Sequence, residues 1–160
     1  MKSDPRDPRR FPFPPLIPII ALLISSWMGR LWPIHASWPE WTRWVGWALF
    51  TIPHGLAIWA HITFRRHQTT VNPRGQVSQM ISSGPFAYTR NPMYLSLIPL
   101  YIGGALAFRL FWAFILLIPV LILLNFGVIR PEERYLATRF GPMYRDYKSR
   151  VPRWIGISGQ

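Results

Sequence analysis

The chain has 160 residues, of which 50% are hydrophobic and only 15% charged, and its formal net charge at pH 7 is +12. This length is that of one domain, and soluble domains usually have about 25% charged residues, so the composition indicates a membrane protein. The basic residues flank long apolar runs and form no stripe, which argues against a nucleic-acid surface. The absence of cysteine excludes disulfides, thiolate metal sites and a cysteine nucleophile.

The first half of the chain predicts a basic tail at residues 1–12 and two membrane spans within residues 13–64. The spans are residues 13–32 and 41–64, each of about the 20 residues that a bilayer requires. Pro53 is expected to kink the second span. His54 and His61 lie ~10 Å apart along a helix, too far to bind one metal ion together. We interpret them as polar groups in the bundle interior or as a pocket wall, and predict no metal site.

Residues 65–92 are polar and predict a loop, with a short interfacial helix around residues 76–81. The loop leads into residues 84–94, Gly-Pro-Phe-Ala-Tyr-Thr-Arg-Asn-Pro-Met-Tyr. Pro85 and Pro92 fix φ and disfavour helix immediately before them, so we expect a structured loop that launches a helix at Met93. Its phenol, guanidinium and amide can stack on a ring, hold an anion and donate hydrogen bonds. A solvated loop with an arginine at the membrane surface is the alternative interpretation.

Residues 93–129 predict two further spans, 93–108 and 110–129, which a tight turn at Arg109 joins into an antiparallel helical hairpin. Residues 130–160 then predict a helical tail. Pro131 suits the first turn of a new helix, and Glu132 and Glu133 suit the positive end of its dipole. Helix-start chemistry is therefore one interpretation of the glutamate pair, and a functional role is the other.

With four spans, all but three of the 18 lysines and arginines lie on one side of the membrane; the exceptions are Arg30, Arg43 and Arg109. The positive-inside rule makes the rich side cytoplasmic, so residues 84–94 and the glutamate pair share that side. The sequence thus predicts an all-α, multi-pass membrane protein of about four transmembrane helices with a cytoplasmic helical tail.

Residues 84–94 resemble the G-P-Y/F-x-x-x-R-H-P-x-Y motif of the isoprenylcysteine carboxyl methyltransferase family, with Asn91 in the place of the usual histidine. The tail resembles that family's E-E-x-x-L…F-G-x-x-Y-x-x-Y-x-x-x-V-P pattern at Glu132, Glu133, Leu136, Phe140, Gly141, Tyr144, Tyr147, Val151 and Pro152. Asparagine does not titrate near neutral pH, so a histidine base at this position is ruled out for this chain.

The resemblance implies an integral membrane enzyme that transfers a methyl group from S-adenosylmethionine. It implies a cofactor site at the cytoplasmic membrane edge, composed of Tyr88, Arg90, Asn91, Pro92, Met93, Tyr94, Glu132, Glu133 and Tyr144. In it a glutamate would pair with the ammonium or ribose, Arg90 would hold the carboxylate, and tyrosines would wall the adenine. Asn91 and Arg130 are the candidate catalytic residues, and Arg130 either receives an anionic headgroup or extends to the membrane surface.

The function that follows is methyl transfer to a lipophilic or membrane-associated acceptor, such as the carboxylate of a prenylcysteine-like molecule. Phospholipid amine or thiol methylation, and a non-catalytic membrane binding module, are the alternatives. The partners are the bilayer and the acceptor, without nucleic acid. We expect the acceptor to arrive sideways from the bilayer, through a gap near Pro53, Pro99 and Gly103-Gly104.

Overall fold

The computed structural model describes residues 14–66 and 80–155. The predicted basic tail, most of the polar segment 65–83 with its short helix, and residues 156–160 lie outside the described residues. The described part is all-helical, as predicted. Its α-helices are α1 (Leu16–Leu31), α2 (Glu40–Thr51), α3 (Pro53–Arg66), α4 (Pro92–Ala107), α5 (Phe111–Ile122), α6 (Arg130–Phe140) and α7 (Pro142–Arg150). A 3₁₀ turn, Gly84–Ala87, precedes α4, and a π-helical segment, Leu123–Ile129, joins α5 to α6.

Two helical stretches are long and apolar enough to cross a membrane. They are Glu40–Arg66, with 27 residues, and Phe111–Phe140, with 30 residues and a mean hydropathy of 2.6. In the most apolar 18 residues of each stretch, only 17% of the first and 28% of the second are buried inside the protein. Most of this apolar surface therefore faces outwards. That exposure is unlike the core helix of a soluble protein. The helices α1 and α4 are also apolar but shorter, at 16 residues each.

The second predicted span is one helical stretch, Glu40–Arg66, in which the regular α-helix is divided at Ile52, next to Pro53. The helix α2 ends at Thr51 and α3 begins at Pro53, with Ile52 between them. His54 is exposed, and its Nδ1 lies 3.2 Å from the carbonyl oxygen of Thr51. The placement of His54 in the bundle interior was wrong, because its side chain is exposed.

The helices α2 and α4 pack with their backbones in close approach. A Cβ added to Gly103 would meet the backbone nitrogen of Phe50, and one added to Gly46 would meet that of Ala107, both closer than real Cβ contacts allow. Small residues permit such an approach. The gap expected near Gly103-Gly104 is therefore absent from this face of α4, because the glycines bring the two helices together there.

The helices α4 and α5 are antiparallel neighbours, as the sequence predicts. Arg109 adopts a φ of 54° in the turn between them. The phenol of Tyr101 donates a hydrogen bond of 2.8 Å to the carbonyl oxygen of Ala113, and both residues are buried in an apolar core with Ala21 of α1. This core fixes the first helix against the hairpin.

Pro131 lies in the first turn of α6, as expected, but α6 continues directly from the π-helical segment, so Phe111–Phe140 is one helical stretch without a free start there. Proline has no N–H to donate to the carbonyl four residues back, which would break an ordinary α-helical ladder. Here the turn widens instead: the N–H of Arg130 donates to the carbonyl of Asn125, five residues back. Glu132 and Glu133 therefore lie well inside a long helix, and helix-start chemistry does not explain them.

Candidate active site

Three segments converge around the glutamate pair: the loop before α4, the helix α6, and the tail that follows α7. The phenol of Tyr147 in α7 donates a 2.7 Å hydrogen bond to the carbonyl oxygen of Phe86 in the loop. The backbone N–H of Arg90 donates to the carbonyl oxygen of Pro152 over 2.9 Å. These contacts hold the tail against the loop, so the two sequence motifs form one site.

Glu133 is the centre of a buried ionic cluster. Its Oε1 lies 3.0 Å from NH1 of Arg90 and 3.1 Å from Nε of Arg153, and its Oε2 accepts a 2.6 Å hydrogen bond from NH2 of Arg153. Two guanidinium groups thus share one carboxylate. Within this three-residue cluster the two guanidinium charges outnumber the single carboxylate, and the adjacent Glu132 supplies a second carboxylate.

The Arg90 guanidinium has hydrogen-bonding capacity to spare. Its side chain is only 9% exposed. Its Nε has no hydrogen-bond partner among the described residues, and its NH1 faces Glu133 as an ion pair without hydrogen-bond geometry. Buried donors without acceptors cost free energy, so a ligand oxygen at this position would stabilise the site.

Glu132 has a different environment from its neighbour. Its Oε2 accepts a 2.6 Å hydrogen bond from the phenol of Tyr94. No other hydrogen bond or ion pair from the described residues reaches this carboxylate. Glu132 can therefore accept further hydrogen bonds from a ligand, whereas Glu133 is already engaged by two arginines.

Arg153 is a site residue that the sequence reasoning missed. Beyond its two hydrogen bonds to Glu133, its carbonyl oxygen accepts from Oγ1 of Thr89 at 3.0 Å and from Nδ2 of Asn91 at 3.1 Å. The hydrogen bonds that Arg153 donates to Glu133 raise the pKa of Arg153 above its ordinary value, so the side chain stays charged. Its position directly after Val151-Pro152, where the second motif ends, was the available signal.

The structure brings most of the predicted site residues to this cluster. The side-chain amide of Asn91 binds the tail, Pro92 is fully buried at the start of α4, and Met93 packs against Ala60 and Phe86. Tyr144 is 2% exposed; burial raises the pKa of its phenol to about 12, with Glu133 and Arg90 among the groups around it. Tyr144 is therefore a neutral wall beside the ion pairs.

Besides Met93, which packs among apolar side chains, two predicted residues lie outside the ionic cluster. Tyr88 is 72% exposed, with its ring centroid 6.4 Å from that of Trp59. Arg130 is exposed, and its guanidinium carbon lies 4.1 Å from the centroid of the Phe126 ring, a cation–π geometry. Arg130 is two residues from Glu132 on one helix, so the two side chains leave on different faces.

An open groove of about 550 Å³ borders the cluster, between α4 and the long helix. Its lining residues are Leu95, Ile98, Leu121, Ile122, Asn125, Phe126, Trp154 and Ile155. Asn125 is the single polar side chain in this lining, and its Oδ1 lies 3.4 Å from NH1 of Arg153. The groove is therefore apolar along its length and meets the ionic cluster at Asn125. Its volume is within the range of small-molecule sites.

Comparison with known proteins places this site in a family. The family model described as "Phospholipid methyltransferase" matches residues 41–143, which include the loop, the hairpin and both glutamates but not Arg153. An uncharacterised protein of Haemophilus influenzae is 38% identical over 69 residues, which are 39% of this chain and 100% of that protein. No solved structure matches the chain. The chain therefore belongs to the phospholipid methyltransferase family of membrane methyltransferases, within the isoprenylcysteine carboxyl methyltransferase-like superfamily.

Proposed function

We propose that this protein transfers a methyl group from S-adenosylmethionine to a lipophilic acceptor. The cofactor would bind at Arg90, Glu132 and Glu133, and the acceptor would lie in the apolar groove. The observation that carries the proposal is the junction of the two at Asn125 and Arg153, where an ionic cluster meets a groove of about 550 Å³. A polar cofactor and an apolar acceptor need such a junction to react.

The residues fit the polar groups of the cofactor. Its carboxylate matches the unpartnered Nε of Arg90. Its ammonium or ribose hydroxyls match Glu132, which among the described residues accepts only from Tyr94. Satisfying a buried donor recovers roughly 1–3 kcal/mol, so these contacts would contribute usefully to binding.

For methyl transfer, the main contribution of the protein is to position the two reactants. The bound cofactor supplies a methyl group already activated as a sulfonium, so the chain contributes binding, orientation and exclusion of water. Asn91 cannot act as a base near neutral pH. Its amide instead donates to the carbonyl of Arg153, which supports a positioning role for this predicted catalytic residue.

A carboxylate is the acceptor that this arrangement supports best, because it is already deprotonated at neutral pH and needs no general base. A phospholipid amine is the second candidate, and the description of the family favours it. An amine must lose a proton before or during transfer, and because Glu133 is engaged by two arginines, Glu132 would have to take that proton.

We further propose that the chain has four spans, with the site on the cytoplasmic side. The charge distribution supports this orientation, since all but three of the 18 basic residues fall on the side that contains the loop and the tail. A water-soluble cofactor would then reach the cluster from the cytoplasm. The acceptor would reach the groove from the bilayer.

Cofactor binding to the purified protein, followed by transfer of a radiolabelled methyl group to a membrane lipid extract, tests the proposal. Calorimetric titration should show saturable binding of S-adenosylmethionine. A methyl ester releases labelled methanol in mild alkali, whereas an N-methyl group does not, so alkali treatment separates the two acceptor classes. No cofactor binding would refute the proposal, and binding without transfer to any extract would favour a non-catalytic module.

A further inference from the structure

With one guanidinium group, Arg153 contacts two parts of the site, the ionic cluster and the apolar groove; these are called its two compartments below. Its Nε and NH2 donate to the two carboxylate oxygens of Glu133 at 3.1 and 2.6 Å, and its NH1 lies 3.4 Å from Oδ1 of Asn125. Arginine carries donors only, so the Asn125 amide must turn its oxygen towards Arg153. The orientation of Asn125, a groove-lining residue, is thereby linked to the ionic cluster.

The backbone around Arg153 makes the same connection. The carbonyl oxygens of Pro152 and Arg153 accept hydrogen bonds from Arg90, Thr89 and Asn91, all in the loop before α4. The next two residues, Trp154 and Ile155, line the groove. A single short segment, residues 151–155, thus completes both the ionic cluster and the groove, and anything that orders this segment orders both.

We propose that Arg153 is a positioning residue that couples the ionic cluster to the apolar groove, so that ligands in the two compartments bind cooperatively. This inference rests on the proposed function, because the cluster is taken to hold the cofactor and the groove the acceptor. A ligand in either compartment stabilises the docked tail that the other one needs. Such coupling is reciprocal, so the acceptor must tighten cofactor binding as much as the cofactor tightens acceptor binding.

Only arginine has the geometry for this role. Its planar fork binds both carboxylate oxygens while leaving a third nitrogen for Asn125, whereas lysine presents its donors at one point. Arg153→Lys keeps the charge beside Glu133 and loses the fork. Arg150→Lys is the matched control, because Arg150 ends α7, three residues before Arg153, and among the described residues it pairs with Asp146 alone; both side chains are largely exposed. Asn125→Leu keeps the size of the side chain and cuts the contact on the groove side alone.

Cofactor affinity measured with and without a groove ligand tests the coupling. The probes are S-adenosylhomocysteine, which cannot donate a methyl group, and dodecanoate, a single apolar chain. The full-length protein is held in amphipol so that no free detergent fills the groove. Calorimetry should show that dodecanoate tightens S-adenosylhomocysteine binding by about 5-fold or more, the lower end of typical coupling. Arg150→Lys should keep this ratio, while Arg153→Lys and Asn125→Leu should reduce it to about one.

The outcomes separate this inference from the proposed function. A ratio of one in the unmodified protein, or a full ratio in Arg153→Lys, overturns the coupling even if the protein is a methyltransferase. Failure of S-adenosylhomocysteine to bind at all overturns both. If Arg153→Lys lowers the thermal stability of the protein, Asn125→Leu, which leaves the ion pairs in place, decides the matter.

Discussion

The phenol of Tyr94 donates to Oε2 of Glu132 over 2.6 Å, although 38 residues separate the two in sequence. Tyr94 lies in the first turn of α4 and Glu132 in α6, so this hydrogen bond closes the helical hairpin at the end where the site lies. It also distinguishes the two adjacent glutamates. Glu132 has a neutral partner and remains able to bind a ligand, while Glu133 holds the protein together.

Tyr94→Phe removes this hydrogen bond and keeps the ring. A hydrogen bond to a charged group contributes about 1.5–3 kcal/mol, so we expect cofactor affinity to fall by about tenfold as Glu132 loses its fixed orientation. Calorimetric titration with S-adenosylmethionine measures the change. Tyr135→Phe on α6 is the control and should bind as the unmodified protein does. Equal affinity in both variants would show that the Tyr94 hydroxyl does not orient the site.

Glu132→Gln and Glu133→Gln should differ mainly in their effect on stability. Removing the carboxylate of Glu133 leaves Arg90 and Arg153 without their anionic partner. Breaking a buried ion pair costs about 3–5 kcal/mol, so this variant should lose thermal stability. Glu132→Gln leaves the ion pairs intact and should change stability by about 1 kcal/mol or less while weakening cofactor binding. Thermal unfolding and cofactor titration on the same preparations measure both effects. A larger stability loss in Glu132→Gln than in Glu133→Gln would contradict this assignment of roles.

Gly103→Ala should destabilise the protein by about 1–3 kcal/mol, the usual cost of overpacking. The added Cβ would meet the backbone of α2 at Phe50, and backbone cannot move aside as a flexible side chain does. The control is Gly29→Ala in α1, where nothing lies within 4 Å of the added atom. Alanine favours helix over glycine, so the control should be neutral or stabilising by up to about 1 kcal/mol. Chemical unfolding in detergent measures both, and equal stability in the two variants would argue against the close approach of α2 and α4.

Leu121→Trp should block the groove. We expect turnover with lipid acceptors to fall by about tenfold or more, equivalent to about 1.4 kcal/mol in the barrier, without a change in cofactor affinity when no acceptor is present. Ile118→Trp is the matched control on the same helix, since Ile118 is 65% exposed and does not line the groove. Radiolabelled methyl transfer to a lipid extract measures turnover. If both variants retain full turnover, the acceptor binds elsewhere.

The orientation in the membrane can be tested by labelling introduced cysteines. Because the chain has no cysteine of its own, any label on it reports the introduced residue. Ser37→Cys, between α1 and α2, should react with a membrane-impermeant maleimide in intact cells, because the charge distribution places it outside. Ser149→Cys, exposed in α7, should react only after the cells are opened. The reverse pattern would invert the proposed orientation.

Local chemistry made several features predictable from sequence. The irregularity of the helix at Ile52, before Pro53, and the start of a helix at residues 92–93 follow from proline, which restricts φ at its own position and the backbone of the residue before it. The turn at Arg109 follows from the short polar interval between two apolar runs. The residues Arg90, Asn91, Tyr94, Glu132 and Glu133 could be singled out because they lie within two motifs, and the structure brings these two motifs together.

Other features were not predictable because they depend on which surfaces meet. From the sequence, Gly103 suggests a possible gap between spans. In the structure, Gly103 instead allows α2 and α4 to pack closely, so no gap is present on that face. From the sequence, Pro131 suggests the start of a helix. In the structure, the π-helical turn before it accommodates the missing N–H, so the helix continues through this point. Tyr88 lies within the first motif but points to Trp59, away from the ionic cluster.

By itself, the sequence determined the helical class, the apolar segments, the family and the two polar motifs, because each of these depends on residues close together in the chain. The tertiary structure alone decided that Glu133 is neutralised by Arg90 and Arg153, that Glu132 is left to Tyr94, and that the groove opens between α4 and the long helix. These arrangements join residues 20 to 60 or more positions apart. Their free energy comes from desolvated charges and hydrogen bonds that exist only when the segments have packed together.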